Sequence, residues 1–150
     1  MPVARYDAAT RDELRRRIRA LTPESGRQWG RMDPHQAVCH LCDAFLMALG
    51  ERDVGLRLDP FRGWLLRIYA FNTPLPWPKN GPTAPGLDQR RRGTQPTEFA
   101  ADRARLEALL TRFWDAERHD APHVFGRLSE REWRVWAERH TDHHLRQFGV

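Results

Sequence analysis

The sequence predicts an all-α protein: a four-helix bundle in which a long crossover between bundle helices 2 and 3 carries a short extra helix and a proline-rich loop. Three observations point there. Apolar residues recur at spacings of three and four in several separate segments, start and stop residues bracket those segments, and no stretch alternates with the period of two that a half-buried strand shows. With 150 residues the chain can bury roughly two-thirds of the surface its unfolded form exposes, and no internal repeat divides it. Residues 1–150 are therefore read as a single domain around one core.

The first element is the segment 8–21, where Leu14, Ile18 and Leu21 share a helical face among charged neighbours. It stops at "TPESG". In "WGRMDPHQAVCHLCDAFLMALGE", Asp33 is placed to cap a second helix, Pro34 takes its first position, and Gly50 ends it. "FRGWLLRIYAF" (61–71) is the short extra helix. From Asn72 to Thr97 six prolines and three glycines exclude both a helix and a central strand, so this stretch is read as either a functional covering loop, a candidate lid, or a disordered connection. Phe99, Leu106, Leu110 and Phe113 then restore helical spacing from about Glu98 to Arg118. Ser129 and Glu132 form a capping box that opens a last helix running to Gln147.

Composition narrows the functional classes. The longest apolar run, "AFLMALG", is far shorter than the roughly 20 residues needed to span a bilayer. The N-terminal "MPVARYDAATRDEL" has neither the apolar core nor the cleavage pattern of a secretory signal, so a cytoplasmic protein with reduced Cys39 and Cys42 is expected. The net charge of +5 invites a nucleic-acid reading, but Lys79 is the only lysine among 25 basic residues, and the arginines are dispersed among Asp and Glu. No specific nucleic-acid partner is expected.

The chemistry lies in the histidines. Projected at 100° per residue, Trp133, Trp136, Ala137, His143, His144 and Gln147 all fall within about 60° of His140, with Arg131, Arg134, Glu138, Arg139, Asp142 and Arg146 on the opposite, solvated side. His140 and His144 thus lie on a buried stripe at i, i+4, the spacing by which two imidazoles chelate one divalent ion. The plainer reading is a pair of hydrogen-bonded core histidines, which would have to satisfy four ring nitrogens. On the second helix His40 shares a stripe with Gln36, Asp43, Ala44 and Met47, apart from the apolar stripe of Val38, Leu41, Phe45 and Leu49. That stripe is either a wet face or the wall of a polar cavity, and the scarcity of other charge on this helix favours the cavity. Three neutral imidazoles with open positions are the ligand set of a catalytic divalent site. The lone Cys39-x-x-Cys42 has no second pair, no following histidine and no βαβ context, and both cysteines project away from His40, so they are read as small core residues.

The stretches "WGRMDPHQAVCHLCDA", "PWPKNGPTAP", "FGRLSEREW" and "HTDHHLRQFG" together resemble the DinB-like (YfiT-like) superfamily of metal-dependent proteins over about residues 25–149, in particular a subfamily of unknown function with this C-terminal signature. The resemblance implies a four-helix bundle, often a homodimer, with a divalent metal on one histidine of the second helix and two of the last. These fall on His40, His140 and His144. Some members of the superfamily look like transferases using low-molecular-weight thiols, others like hydrolases or isomerases. The expectation is a metalloenzyme holding Zn²⁺, Ni²⁺ or a similar ion that activates water or a thiol against a small-molecule substrate. Asp43 is the candidate catalytic group, orienting an imidazole or shuttling a proton, with arginines at the cavity mouth for an anionic substrate. His143 is expected beside the triad, not in it. The alternative is a non-catalytic, stress-related bundle that binds or dimerises.

Overall fold

The computed structural model describes residues 8–55 and 59–150; residues 1–7, the start of the stretch read for a targeting signal, lie outside them. Among the described residues five α-helices follow in order: α1 (Ala8–Ala20), α2 (Pro34–Ala48), α3 (Pro60–Asn72), α4 (Phe99–Asp115) and α5 (Glu130–Gln147). No strand occurs among the described residues, only an isolated bridge between His123 and Gly126.

Local chemistry sets the helix starts. The Asp33 carboxylate accepts the Gln36 N–H at 2.7 Å while the Gln36 side chain accepts the Asp33 N–H at 3.0 Å, a reciprocal cap with Pro34 at the first position of α2. Ser129 and Glu132 do the same for α5, and Glu98 accepts the Ala100 and Ala101 N–H groups at the start of α4. Gly50, at φ +77°, takes the left-handed conformation that ends α2 without a Cβ clash. Each cap contributes about 1 kcal/mol, whereas burying one large apolar side chain contributes roughly 1.5–3 kcal/mol. Packing therefore decides the architecture.

Helices α1 and α2 each pack against both α4 and α5, while the backbones of α1 and α2, and of α4 and α5, stay apart, so the four close a ring with those pairs on its diagonals; across one diagonal side chains still meet, Phe113 and Trp136 at 6.2 Å between ring centroids. The middle is filled by Phe45, Leu106, Leu110, Phe113, Trp133 and Leu145, with Phe45 edge-on to Phe113 at 5.4 Å between ring centroids. α2 is buried at 12 of its 15 positions, which makes it the central helix and explains its lack of charge.

The extra helix forms where expected and runs one residue further at each end: with Asp59 accepting the Arg62 N–H, α3 spans 13 residues. It docks on α5, buries Ala70 and Phe71, and leaves Phe61, Trp64, Leu65, Leu66 and Ile68 exposed. One expectation needs correction: the charged side of α5 is not simply solvated. Arg139 donates to the carbonyls of Ala70 (2.6 Å), Thr73 (3.0 Å) and Leu75, taking up oxygens that the end of α3 leaves without helical partners.

The bidentate pair between Arg67 of α3 and Glu132 of α5, 2.6 Å at each oxygen, ties the extra helix to the ring. Burial opposes ionisation of Glu132, but the Arg67 guanidinium and the Ser129 N–H and hydroxyl outweigh it and hold the carboxyl down at about 2. A carboxyl depressed in the folded state stabilises fully above its unfolded pKa, and that contribution is lost as pH falls from about 4.5 through about 2. Glu132→Gln is accordingly expected to cost about 1–2 kcal/mol at pH 7 and to converge on the parent stability near pH 2, as read by urea denaturation across pH.

Candidate metal centre

His40 sits in the middle of α2, with His140 and His144 one turn apart on α5; the two helices pack side by side, and the three rings meet. Ring centroids are 5.1 Å apart for His40 and His140, 4.6 Å for His40 and His144, and 4.9 Å for His140 and His144. One ligand-type nitrogen from each lies within 4.8 Å of the other two.

The rings' other nitrogens are committed. His40 Nδ1–H donates to the Leu87 carbonyl at 2.8 Å, and a carbonyl can only accept, so Nε2 of this ring carries the lone pair. His144 Nδ1 lies 2.9 Å from the Gln147 side-chain oxygen. The amide nitrogen of Gln147 donates to the Trp29 carbonyl at 2.9 Å, so the oxygen faces His144 and Nδ1 must be the donor there too. Its Nε2 makes no hydrogen bond among the described residues. His140 Nε2 stands 3.0 Å from His40 Nε2. Two imidazole nitrogens sharing one ion at about 2.1 Å, with 90–110° between them, are about 3.0–3.4 Å apart, so the spacing fits. Burial lowers the pKa of all three histidines, and for His140 and His144 the neighbouring imidazoles push further the same way. The rings are neutral, the form that ligates.

Other histidines show what a spent ring looks like. Buried His119 places one nitrogen 2.8 Å from Glu130 and the other 3.1 Å from the Phe113 carbonyl, which leaves nothing for an ion. His143 stands against Trp29 edge-on at 5.6 Å, beside the triad as expected and outside it. A second group, His35, Cys39 and Asp102, was not legible in the sequence because Asp102 lies on α4. Its atoms bond one another: a single Asp102 oxygen faces His35 at 2.7 Å, the Thr97 N–H at 3.1 Å and the Cys39 thiol at 3.8 Å. Burial pushes the Cys39 and Cys42 thiols up to about 12, so both stay protonated and act as core residues.

The expected role of Asp43 is corrected by its surroundings. Its side chain is fully buried and accepts the Thr94 N–H (2.7 Å), the Thr94 hydroxyl (2.6 Å) and the Gln89 amide (3.0 Å), with Arg52 at 3.4 Å. It anchors the crossover to α2 and hydrogen-bonds to no histidine. The orienting work expected of it falls to Leu87 and Gln147. Because ligand-orienting partners typically matter 10–100-fold in metal affinity, Gln147→Leu is expected to weaken divalent binding by about that factor with the helical circular dichroism unchanged, as measured by competition against a chromophoric chelator.

Two cavities flank the triad. One, of about 580 Å³, is polar and includes Arg31, Asp88 and Arg90. The other, of about 320 Å³, is walled by Trp77, Ala84, Val124, Phe125 and Trp136, reaches all three histidines, and contains no Asp, Glu, Lys or Arg. They meet at Gly81, Thr83, Leu87, His143 and His144. The arginines expected at the mouth thus belong to the polar side only. The proline-rich crossover supplies much of the apolar wall and is held to α3 by Tyr69 donating to the Pro76 carbonyl (2.6 Å) and Trp77 donating to the Ala70 carbonyl (3.3 Å).

Comparison with protein-family models, with curated proteins and with solved structures gives no match. Among the described residues no helix is long and apolar enough to cross a membrane.

Proposed function

We propose that this chain is a metal-dependent enzyme of the DinB-like kind, a four-helix bundle in which His40, His140 and His144 hold one divalent ion, Zn²⁺ or Ni²⁺, and act on a small molecule by hydrolysis or thiol transfer. One observation carries the reading. Three neutral rings converge, His40 and His144 buried and His140 half-buried, and two of them are oriented through Nδ1 by Leu87 and Gln147 so that their lone-pair nitrogens turn inward. His40 Nε2 and His140 Nε2 can share one hydrogen bond at 3.0 Å, which leaves His144 Nε2 out, whereas a shared cation engages all three rings at once.

Bound there, the ion supplies Lewis-acid activation, lowering the pKa of a water or thiol toward neutrality. Leu87 and Gln147 hold the imidazoles in the ligating tautomer. Trp77 and Trp136, with ring centroids 5.9 and 5.2 Å from that of His140, exclude water from one side of the site, while the polar cavity leaves the other side wet. Protein purified without an affinity histidine tag is expected to retain or take up about one zinc or nickel per chain, and its thermal midpoint is expected to climb with free metal, because the ion binds the folded state selectively. No uptake and no stabilisation at millimolar metal would leave the non-catalytic bundle as the better account.

A further inference from the structure

We propose that the molecule activated at the triad has a compact, uncharged aryl or branched-alkyl body, seated in the apolar cavity while its polar reacting end reaches His40, His140 and His144. The proposal rests on the metal reading above and adds a substrate class to it.

Three properties of the cavity converge on that class. Its volume of about 320 Å³ lies at the lower end of the roughly 300–1,000 Å³ of pockets that enclose whole small molecules, which suits one ring or a short branched chain and excludes a nucleotide or a long acyl chain. Its wall contains no carboxylate, ammonium or guanidinium, so a charged body would be stripped of water with nothing to pair with. Its lining includes the aromatic rings of Tyr69, Trp77, Phe125 and Trp136, and aromatic rings gain most from stacking against a flat or branched apolar partner.

The groups able to ligate a shared ion are confined to one end, and the wall's other polar groups are uncharged: the Tyr69 hydroxyl is spent on the Pro76 carbonyl and His123 Nδ1 accepts the Phe125 N–H at 3.3 Å. All three triad residues line this cavity, whereas the charged groups Arg31, Asp88 and Arg90 stand in the other one, beyond the shared boundary of Gly81, Thr83 and Leu87. A ligand therefore meets a gradient, uncharged and largely aromatic at the end of His123, Val124 and Phe125 and metal-ligating at His40, His140 and His144. That gradient orients it with the heteroatom first.

The test uses cobalt(II)-loaded protein, whose visible spectrum reports a thiol entering the coordination sphere, and three probes with the same donor atom. Phenylmethanethiol is expected to bind about tenfold or more tighter than 2-mercaptoethanol, in line with the extra apolar area it buries, and 3-mercaptopropanoate is expected to bind weakest. Filling the cavity by Ala84→Phe should reduce the aryl preference to about threefold or less while cobalt loading is kept, and Val124→Phe tests the same wall independently if the first variant does not fold. Equal binding of the three thiols to loaded protein, tightest binding of the carboxylate, or an aryl preference that survives both substitutions would overturn the substrate class and leave the metal reading standing. Failure of the parent protein to load cobalt at all would overturn both.

Discussion

Replacing His140 with alanine is expected to lower divalent-metal affinity by about two to three orders of magnitude. The roughly 10–16 kcal/mol of a four-ligand zinc site amounts to about 2.5–4 kcal/mol per ligand, and about 1.4 kcal/mol is a factor of ten. His40→Ala and His144→Ala should fall in the same range, since each ring turns one nitrogen toward the same point. His143→Ala serves as the control: its ring packs on Trp29 and takes no part in the convergence, so a change of about threefold or less is expected there. Isothermal titration or chelator competition on the four variants decides the matter. Loss of metal by the His143 variant with retention by His140→Ala would mean that the α5 register is wrong. Equal behaviour of all four would mean that there is no triad.

The second large effect belongs to Asp43→Ala, expected to destabilise the fold by about 3–5 kcal/mol, because removing one partner of a buried charged network strands the rest. Three donors from Gln89 and Thr94 and the nearby Arg52 all converge on this carboxylate. The damage should reach the metal site as well. Leu87, whose carbonyl orients His40, lies two residues before Gln89 in the same segment, and loosening that segment frees the ring. Denaturant unfolding and a metal titration of the same preparation are expected to show both losses. Asp43→Asn should recover part of the stability by keeping one oxygen to accept the Thr94 N–H and the Gln89 amide, which share one carboxylate oxygen, while its amide nitrogen donates to the Thr94 hydroxyl.

The three histidines were legible in the sequence because each lies on a helix, where position along the chain fixes direction in space. His140 and His144 at i, i+4 and His40 on the polar stripe of α2 needed only the 3.6-residue period. What holds them was not legible. The Leu87 carbonyl comes from a single 3-10 turn, Pro85–Leu87, too short to show a period, and Gln147 could be placed on the stripe but its amide takes a direction only from the Trp29 carbonyl, over a hundred residues away. Asp43 was misread for the same reason: its stripe was right, but its partners sit on the crossover at Gln89 and Thr94. Periodicity likewise found the apolar residues of α3 without revealing that half of that helix faces outward. Local rules locate side chains on elements; the polar partners between elements belong to the tertiary fold.

The facing nitrogens of His40 and His140 come from rings separated by 100 positions in sequence. A chain that must bring such distant segments together does so late, after the helices have formed and α2 has found α5, because closing a long loop is entropically unfavourable until native packing compensates for it. An ion that needs both rings cannot seed that encounter. It arrives on a finished scaffold and acts as a latch, holding shut a structure it did not help to assemble. Added zinc or nickel should therefore leave the refolding rate nearly untouched and slow unfolding, lengthening the lifetime of the native state in proportion to occupancy.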